Sequence, residues 1–190
     1  MTSYRPYHHG NLRQAVLDEA SAVVRDRGAA ELSLREIAAT IGVTHAAPRR
    51  YFSGRQELLD AVAVEGFTRL GTRLRKASGE RDHPGRLRAV AQAYLDFAVA
   101  EANLLELMFA HKRGPGGEAV STSAESAFAP ILQLFQRSEA EGLLPDGGAV
   151  RLSVVFLATL QGLAGLVNCG VVPLDQVSEL VDEAVARFSD

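Results

Sequence analysis

Residues 33–52 constrain the fold of this chain most strongly, because they contain two helix starts separated by a glycine turn. Ser33 and Glu36 form the S-x-x-E pattern of a capping box. Gly42 supplies the left-handed residue with which helices commonly end, and Thr44 suits the N-cap of a second helix. Helices this short are not stable alone, so the pattern predicts two helices that pack on a larger helical unit and present a surface.

The second predicted helix, residues 44–52, carries basic and aromatic side chains. In a helix-turn-helix the second helix enters the DNA major groove, where arginines such as Arg49 and Arg50 contact guanine edges or phosphates. Pro48 lacks an amide proton and disfavours the helical conformation at Ala47, so we expect a late or distorted start. The predicted DNA-contacting residues are Ser33, Arg35, Thr44, His45, Ala46, Arg49, Arg50, Tyr51 and Arg55.

The motifs L-S-L-R-E-I-A, I-G-V-T and R-Y-F before S-G-R-Q-E-L-L resemble the DNA-binding domain of the tetracycline-repressor (TetR) family of bacterial transcription regulators. The opening Y-H-H-G-N-L-R and the A-A-P of the second helix are similar to one branch of that family. The resemblance implies a homodimer that most often represses transcription. Arg49 stands where the family usually has a DNA-contacting tyrosine, and Tyr51 where histidine is common, which implies a differently read operator.

The charge distribution favours DNA binding at one end of the molecule. Net charge is −3, which argues against a uniformly basic nucleic-acid binder. Residues 1–77, however, hold twelve Arg and Lys against eight Asp and Glu, whereas residues 78–190 hold eight against fifteen. A basic head on an acidic body is the asymmetry expected when one end meets phosphate.

Composition and motifs exclude several other classes. The single cysteine, Cys169, fits a reducing compartment, and the N-terminus has no long apolar segment, so we expect a cytoplasmic protein. The adjacent His8 and His9 lack Cys, Asp or Glu at ligand spacing, so no metal site is expected. The sequence contains no G-x-G-x-x-G, P-loop, H-E-x-x-H or G-x-S-x-G motif. We therefore predict that the protein is not an enzyme and binds no cofactor.

The helical periodicity predicts an all-α fold of about nine helices. A three-helix head, residues 1–54, is followed by a body, residues 55–190, that is expected to bind a ligand and to dimerise. Within the body, residues 55–77 form a helix that connects it to the head, with Ser53 as the expected N-cap. In the family resembled, the tilt of this helix sets the distance between the two heads of a dimer. Phe52 is expected in the core of the head.

The body contains apolar and aromatic residues on several helices, a composition typical of ligand sites between bundle helices. Each of these residues also suits a plain core. For Gln161, inside an apolar run, a hydrogen bond in the dimer interface competes with a ligand contact. The predicted residues for a small apolar effector are Tyr94, Phe97, Leu104, Met108, Phe128, Phe135, Phe156 and Gln161.

Residues 152–174 contain no charge, which suggests either a membrane span or a helix buried on two sides. Polar residues within the stretch, together with Gly170 and Pro173, favour the second interpretation. We therefore expect the last two helices of each subunit to form a four-helix bundle, without membrane insertion. The predicted interface residues are Ala158, Gly162, Gly165, Val177 and Val181.

These patterns together predict a DNA-binding transcriptional regulator, a ligand-responsive repressor that binds a pseudo-palindromic operator as a homodimer. The partners expected are double-stranded operator DNA, a second copy of the chain and a small apolar effector. The alternative is a helical small-molecule-binding protein without regulatory DNA binding. A promoter fragment left unshifted by the protein at low salt would favour that alternative.

Overall fold

The computed structural model describes residues 12–79, 82–110, 117–145 and 147–189. These residues form eight α-helices and three short 3-10 helices, and they contain no strand. The α-helices are α1 (Leu12–Arg27), α2 (Leu34–Thr40), α3 (Arg55–Ala77), α4 (His83–Ala100), α5 (Ala102–Ala110), α6 (Glu118–Ala140), α7 (Ala149–Asn168) and α8 (Val177–Ser189). The fold is therefore all-α, as predicted.

The predicted hinge of the head is present at α2. The Ser33 hydroxyl accepts the amide proton of Glu36 at 3.4 Å, which caps the start of the helix. At the other end Gly42 has φ +74°, and the amide of Val43 donates to the carbonyl of Ala38 at 2.9 Å. This six-to-one bond is the Schellman arrangement that ends helices at a left-handed glycine.

The segment that follows is not the α-helix predicted for residues 44–52. Residues 45–47 form turns, and Pro48–Arg50 is a single 3-10 helix. Proline explains the difference, because Pro48 cannot donate a helical hydrogen bond and its ring restricts Ala47. The described part of the head thus contains two α-helices and two short 3-10 helices, Ala29–Glu31 and Pro48–Arg50. Residues 44–51, which include the second of these, are called here the recognition segment.

The connecting helix α3 begins at Arg55, but its N-cap is Gly54 in place of the predicted Ser53. Gly54 precedes the first helical residue, and the amide of Ser53 donates instead to the Glu57 carboxylate at 2.6 Å. Hydrogen bonds from the side chain and the backbone of Ser53 lower the pKa of Glu57. The helix has 23 residues and is therefore about 34 Å long. Its far half packs tightly on α6, since a Cβ atom on Gly71 would lie 2.8 Å from the Cα of Ala127.

Helices α4 to α8 form the body around the far half of α3. Helix α4 begins at His83, because Asp82 accepts the Gly85 amide at 3.0 Å and Pro84 occupies the first turn, where proline is tolerated. Helix α6 lies between α3 and α7, and α8 packs mainly on α4. The core is continuous from head to body through α1, α3 and α5.

Helix α7 is long and apolar enough to cross a membrane, with a mean hydropathy of 1.8. Only 22% of the apolar stretch of this helix is buried within the chain. Its exposed side chains include Val150, Val154, Val155 and Leu166. One such helix is weak evidence for a span, since a helix that packs on a partner has the same composition.

Candidate functional site

The recognition segment presents its polar side chains to solvent. Arg49 and Arg50 are exposed, and Tyr51 is 43% exposed. The other predicted contacts of this segment are exposed as well: Thr44, His45 and Ala46. Pro48 of this segment is buried, and Phe52, directly after the segment, is 1% exposed, so both face the protein interior. The prediction that Phe52 belongs to the core is confirmed.

Consecutive tight turns give the recognition segment its curvature. The amide of Ala47 donates to Thr44 at 2.9 Å, that of Arg50 to Ala47 at 3.2 Å, and that of Phe52 to Pro48 at 3.0 Å. Two buried anchors, Pro48 and Phe52, therefore hold a short curved backbone against α1. The Arg13 guanidinium of α1 lies 5.3 Å from the centre of the Phe52 ring, which adds a cation–π contact to this anchor.

The two predicted contacts on α2 differ in their surroundings. Arg35 is exposed in the first turn, and Ser33 is half-buried because its hydroxyl caps the helix. Exposed amide groups at a helix start favour phosphate, and a capping hydroxyl lies at that point. Both residues are placed at the end of α2 where a phosphate contact is feasible, and their roles stay predictions.

Arg55 has structural partners that the sequence pattern did not indicate. Its guanidinium donates to the carbonyls of Leu32 at 3.1 Å, Ala29 at 2.5 Å and Ala30 at 3.3 Å. These carbonyls belong to the turn between α1 and α2. Arg55 thus holds that turn against the start of α3, and its predicted phosphate contact has to coexist with these three bonds.

We expect Arg55→Ala to lower the free energy of unfolding by about 1–2 kcal/mol, because charge-assisted hydrogen bonds are the stronger class but this side chain is partly solvated. Urea denaturation followed by circular dichroism measures the change. Arg75→Ala, an exposed arginine at the far end of α3, is the matched control and should change stability by less than about 0.5 kcal/mol. Equal stability of both variants would contradict the assigned contacts.

The residues predicted to bind an effector are mostly packed core. Tyr94, Phe97, Met108, Phe135 and Phe156 are all fully buried. They do not form one group. Phe128 packs near Phe67 and Phe109, whereas Phe135 and Phe156 pack with Phe188 at the other end of the body. Leu104, 1% exposed, lies against α3 near Gly66.

Gln161 has a partner within the chain, which neither of the two alternatives anticipated. The Tyr94 hydroxyl donates to its Oε1. Burial raises the pKa of Tyr94 well above its usual value, so this hydroxyl remains protonated. Gln161 also lines a groove of about 550 Å³ between α5 and α7. The groove is lined by Ala102, Asn103, Leu105, Glu106, Phe109, Ala110, Gln161, Gly165 and Asn168.

The outer face of α7 carries three of the five predicted interface residues. Ala158, Gly162 and Gly165 are exposed, and a Cβ on either glycine would meet nothing within 4 Å. Val177 is half-buried at the start of α8. Val181 requires a correction: it is 0% exposed in the single chain, because the inner face of α8 packs on α4. It belongs to the core of its own subunit.

Two family models match the chain. Residues 16–62, which include most of α1, all of α2 and the recognition segment, match "Bacterial regulatory proteins, tetR family". Residues 87–188, more than half of the chain, match "Tetracyclin repressor-like, C-terminal domain". The chain belongs to the TetR family. It is therefore a transcriptional regulator of this family, as the sequence predicts.

Solved structures share the fold of this TetR-family chain. A protein of unknown function from Rhodococcus sp. RHA1 is 37% identical, with a TM-score of 0.88 over 97% of each chain. A TetR-family regulator from Rhodococcus sp. is 17% identical, with a TM-score of 0.73 over 94% of this chain and 98% of that one. AibR, solved with isovaleryl coenzyme A and operator DNA, is 18% identical, with a TM-score of 0.67 over 92% and 96%. No curated protein matches the sequence significantly.

Proposed function

We propose that this TetR-family regulator binds a pseudo-palindromic operator as a homodimer through the recognition segment and represses transcription until an effector binds. The observation that carries the proposal is the exposed arginine pair Arg49 and Arg50 on a backbone anchored by Pro48 and Phe52. Arginine contacts bases and phosphates, and a rigid support lowers the cost of positioning it. The opening motif and the A-A-P further support membership of the branch that they resemble.

The dimer is proposed to form through the exposed face of α7 together with the start of α8. This face combines apolar side chains with the two glycines that leave room for a close helix approach, Gly162 and Gly165. A two-fold axis through this face would pack it against the same face of the second subunit. Two recognition segments are then presented on the same side, to half-sites about one helical turn, ~34–36 Å, or a multiple apart.

The effector is proposed to bind the groove between α5 and α7. Its apolar wall contains Leu105 and Phe109, and Gln161 supplies polar atoms that can orient a ligand. Helix α5 also contacts α1 of the head, so a ligand that displaces α5 changes the position of the head. AibR, a fold relative, was solved in complex with isovaleryl coenzyme A and operator DNA, which supports the proposal. Effector action requires different affinities for the two head positions.

A screen of small amphiphilic molecules for release of bound DNA tests the groove. We expect Gln161→Leu to weaken the binding of active compounds by about 1–3 kcal/mol, since a polar group of the ligand loses its hydrogen-bond partner there. Gln92→Leu, on α4 and outside this groove, is the matched control. Active compounds that act equally on both variants would place the effector elsewhere.

Gel-shift titration with DNA from upstream of the protein's own gene tests the proposed function. We expect a discrete complex that resists excess competitor DNA of unrelated sequence and weakens as salt rises, because phosphate contacts release counterions. A protein that shifts no fragment at low salt would contradict DNA binding and favour a small-molecule-binding protein.

A further inference from the structure

Glu101 lies where the head, the connecting helix and the body meet. It ends α4, directly before α5, and is 8% exposed. One carboxylate oxygen accepts a hydrogen bond from Arg69 of α3. The other lies 3.9 Å from Nε of Arg25, near the end of α1. A single buried carboxylate therefore links the first helix of the head to the connecting helix and the body.

A second polar contact at the same place holds α1 to the body. The side-chain amide of Asn103, on α5, donates to the carbonyl of Arg25 at 2.9 Å. The hydroxyl of Ser21, one turn earlier on α1, donates to Glu65 of α3 at 3.4 Å. The end of α1 is thus attached by side chains of α3 and α5, while its start packs beside Phe52 and the recognition segment.

The two arginines are held differently by the carboxylate. Arg69 forms a direct hydrogen bond, whereas the oxygen that faces Arg25 is buried and has no hydrogen-bond donor among the described residues. At 3.9 Å the attraction to Arg25 is electrostatic and weakly directional. Burial reduces its screening by salt. The connecting helix is consequently fixed to Glu101 by a hydrogen bond, and the attraction to Arg25 keeps the end of α1 close to the same carboxylate.

We propose that Glu101 is a positioning residue for operator binding: through Arg25 it sets the angle of the head on the body and thereby the half-site spacing that the dimer accepts. The proposal rests on the proposed function, since spacing matters only to a dimer that reads two half-sites. Glu101 is 8% exposed and contacts Arg69 and Arg25, so its proposed effect on DNA binding acts through the position of α1.

The test measures affinity for operators whose central spacer is one base pair shorter, unchanged or one base pair longer, and for a single half-site. We expect Glu101→Gln, which keeps the side-chain shape and removes the charge, to lower affinity for the natural spacing about fivefold to tenfold. Its preference for that spacing should fall by a similar factor, with half-site binding within about twofold of wild type. Arg25→Gln should lower affinity and spacing preference by similar factors. The double variant should show the same losses as either single variant, because both changes remove one interaction.

Two controls separate positioning from a purely structural role. Glu183→Gln removes an exposed carboxylate on α8, outside the proposed effector groove, and should leave spacing preference unchanged. Arg69→Gln should lower stability and affect spacing less than Arg25→Gln, because Arg69 does not belong to the head. Since the side chain of Arg25 is 41% exposed, its variant should fold even where Glu101→Gln does not.

Folded Glu101→Gln and Arg25→Gln variants with wild-type spacing preference would overturn the inference, and so would an equal loss of half-site binding. If Glu101→Gln fails to fold, the result for Arg25→Gln decides. Wild-type protein that binds neither operator nor half-site would instead refute the proposed function, so the two failures are distinguishable.

Discussion

Arg49→Ala and Arg50→Ala are each expected to weaken operator binding by about 1–3 kcal/mol if the lost contact is to a base edge. Both side chains are exposed on the recognition segment, so truncation removes a DNA contact and leaves the core intact. If one of them contacts phosphate instead, affinity should fall similarly for all sequences and the slope of log K against log salt should decrease by about one. Fluorescence-anisotropy titration at several salt concentrations distinguishes the two cases.

Arg75→Ala is the matched control for this experiment. It removes the same charge from an exposed position near the far end of α3, about 30 Å from its start by helix length. Operator affinity should then change by less than about twofold, because charges separated by several Debye lengths are screened. Wild-type affinity in both recognition-segment variants would contradict their assigned roles.

A charge placed on the outer face of α7 is expected to abolish the dimer at working concentrations. Val154 is 62% exposed in the single chain, and the proposed interface buries it together with its symmetry mate. Val154→Asp introduces two carboxylates into that interface, where juxtaposed like charges cost several kcal/mol. The dissociation constant should rise about a hundredfold or more, and operator binding should fall with it. Analytical ultracentrifugation measures the dissociation constant.

The control is Leu143→Asp, a similarly exposed apolar side chain, 52%, in the connection between α6 and α7. It should remain dimeric with unchanged operator affinity. Circular dichroism should show equal helix content for both variants, because neither residue belongs to the core. A Val154→Asp protein that stays dimeric would refute the proposed interface.

The sequence was most informative where local chemistry decides the structure. The Ser33 cap and the Gly42 turn depend on neighbouring residues, and both are present as predicted. Phe52, an apolar residue that closely follows two arginines in the sequence, is in the core as predicted. The family resemblance came from this same stretch and is confirmed by the match over residues 16–62.

The remaining features depend on packing between distant parts of the chain. Pro48 indicated a late or distorted helix start, but the sequence did not indicate that the whole segment would be reduced to a 3-10 helix, Pro48–Arg50. Val181 lies on an apolar stripe that suits a core or an interface equally, and the position of α4 decides between them. Glu101 was not recognised as functional. Its only signal was a lone acidic residue between two apolar helices, A-V-A-E-A-N-L-L.

Hydroxyl-radical footprinting of the wild-type protein on DNA upstream of its own gene tests the central claim most directly. We predict two protected half-sites related by a pseudo-dyad, with centres about 34–36 Å or a multiple of that distance apart. The same DNA should show no protection with the Arg49→Ala/Arg50→Ala double variant. Protection of a single unpaired site, or an identical footprint from the double variant, would contradict a dimer that reads DNA through the recognition segment.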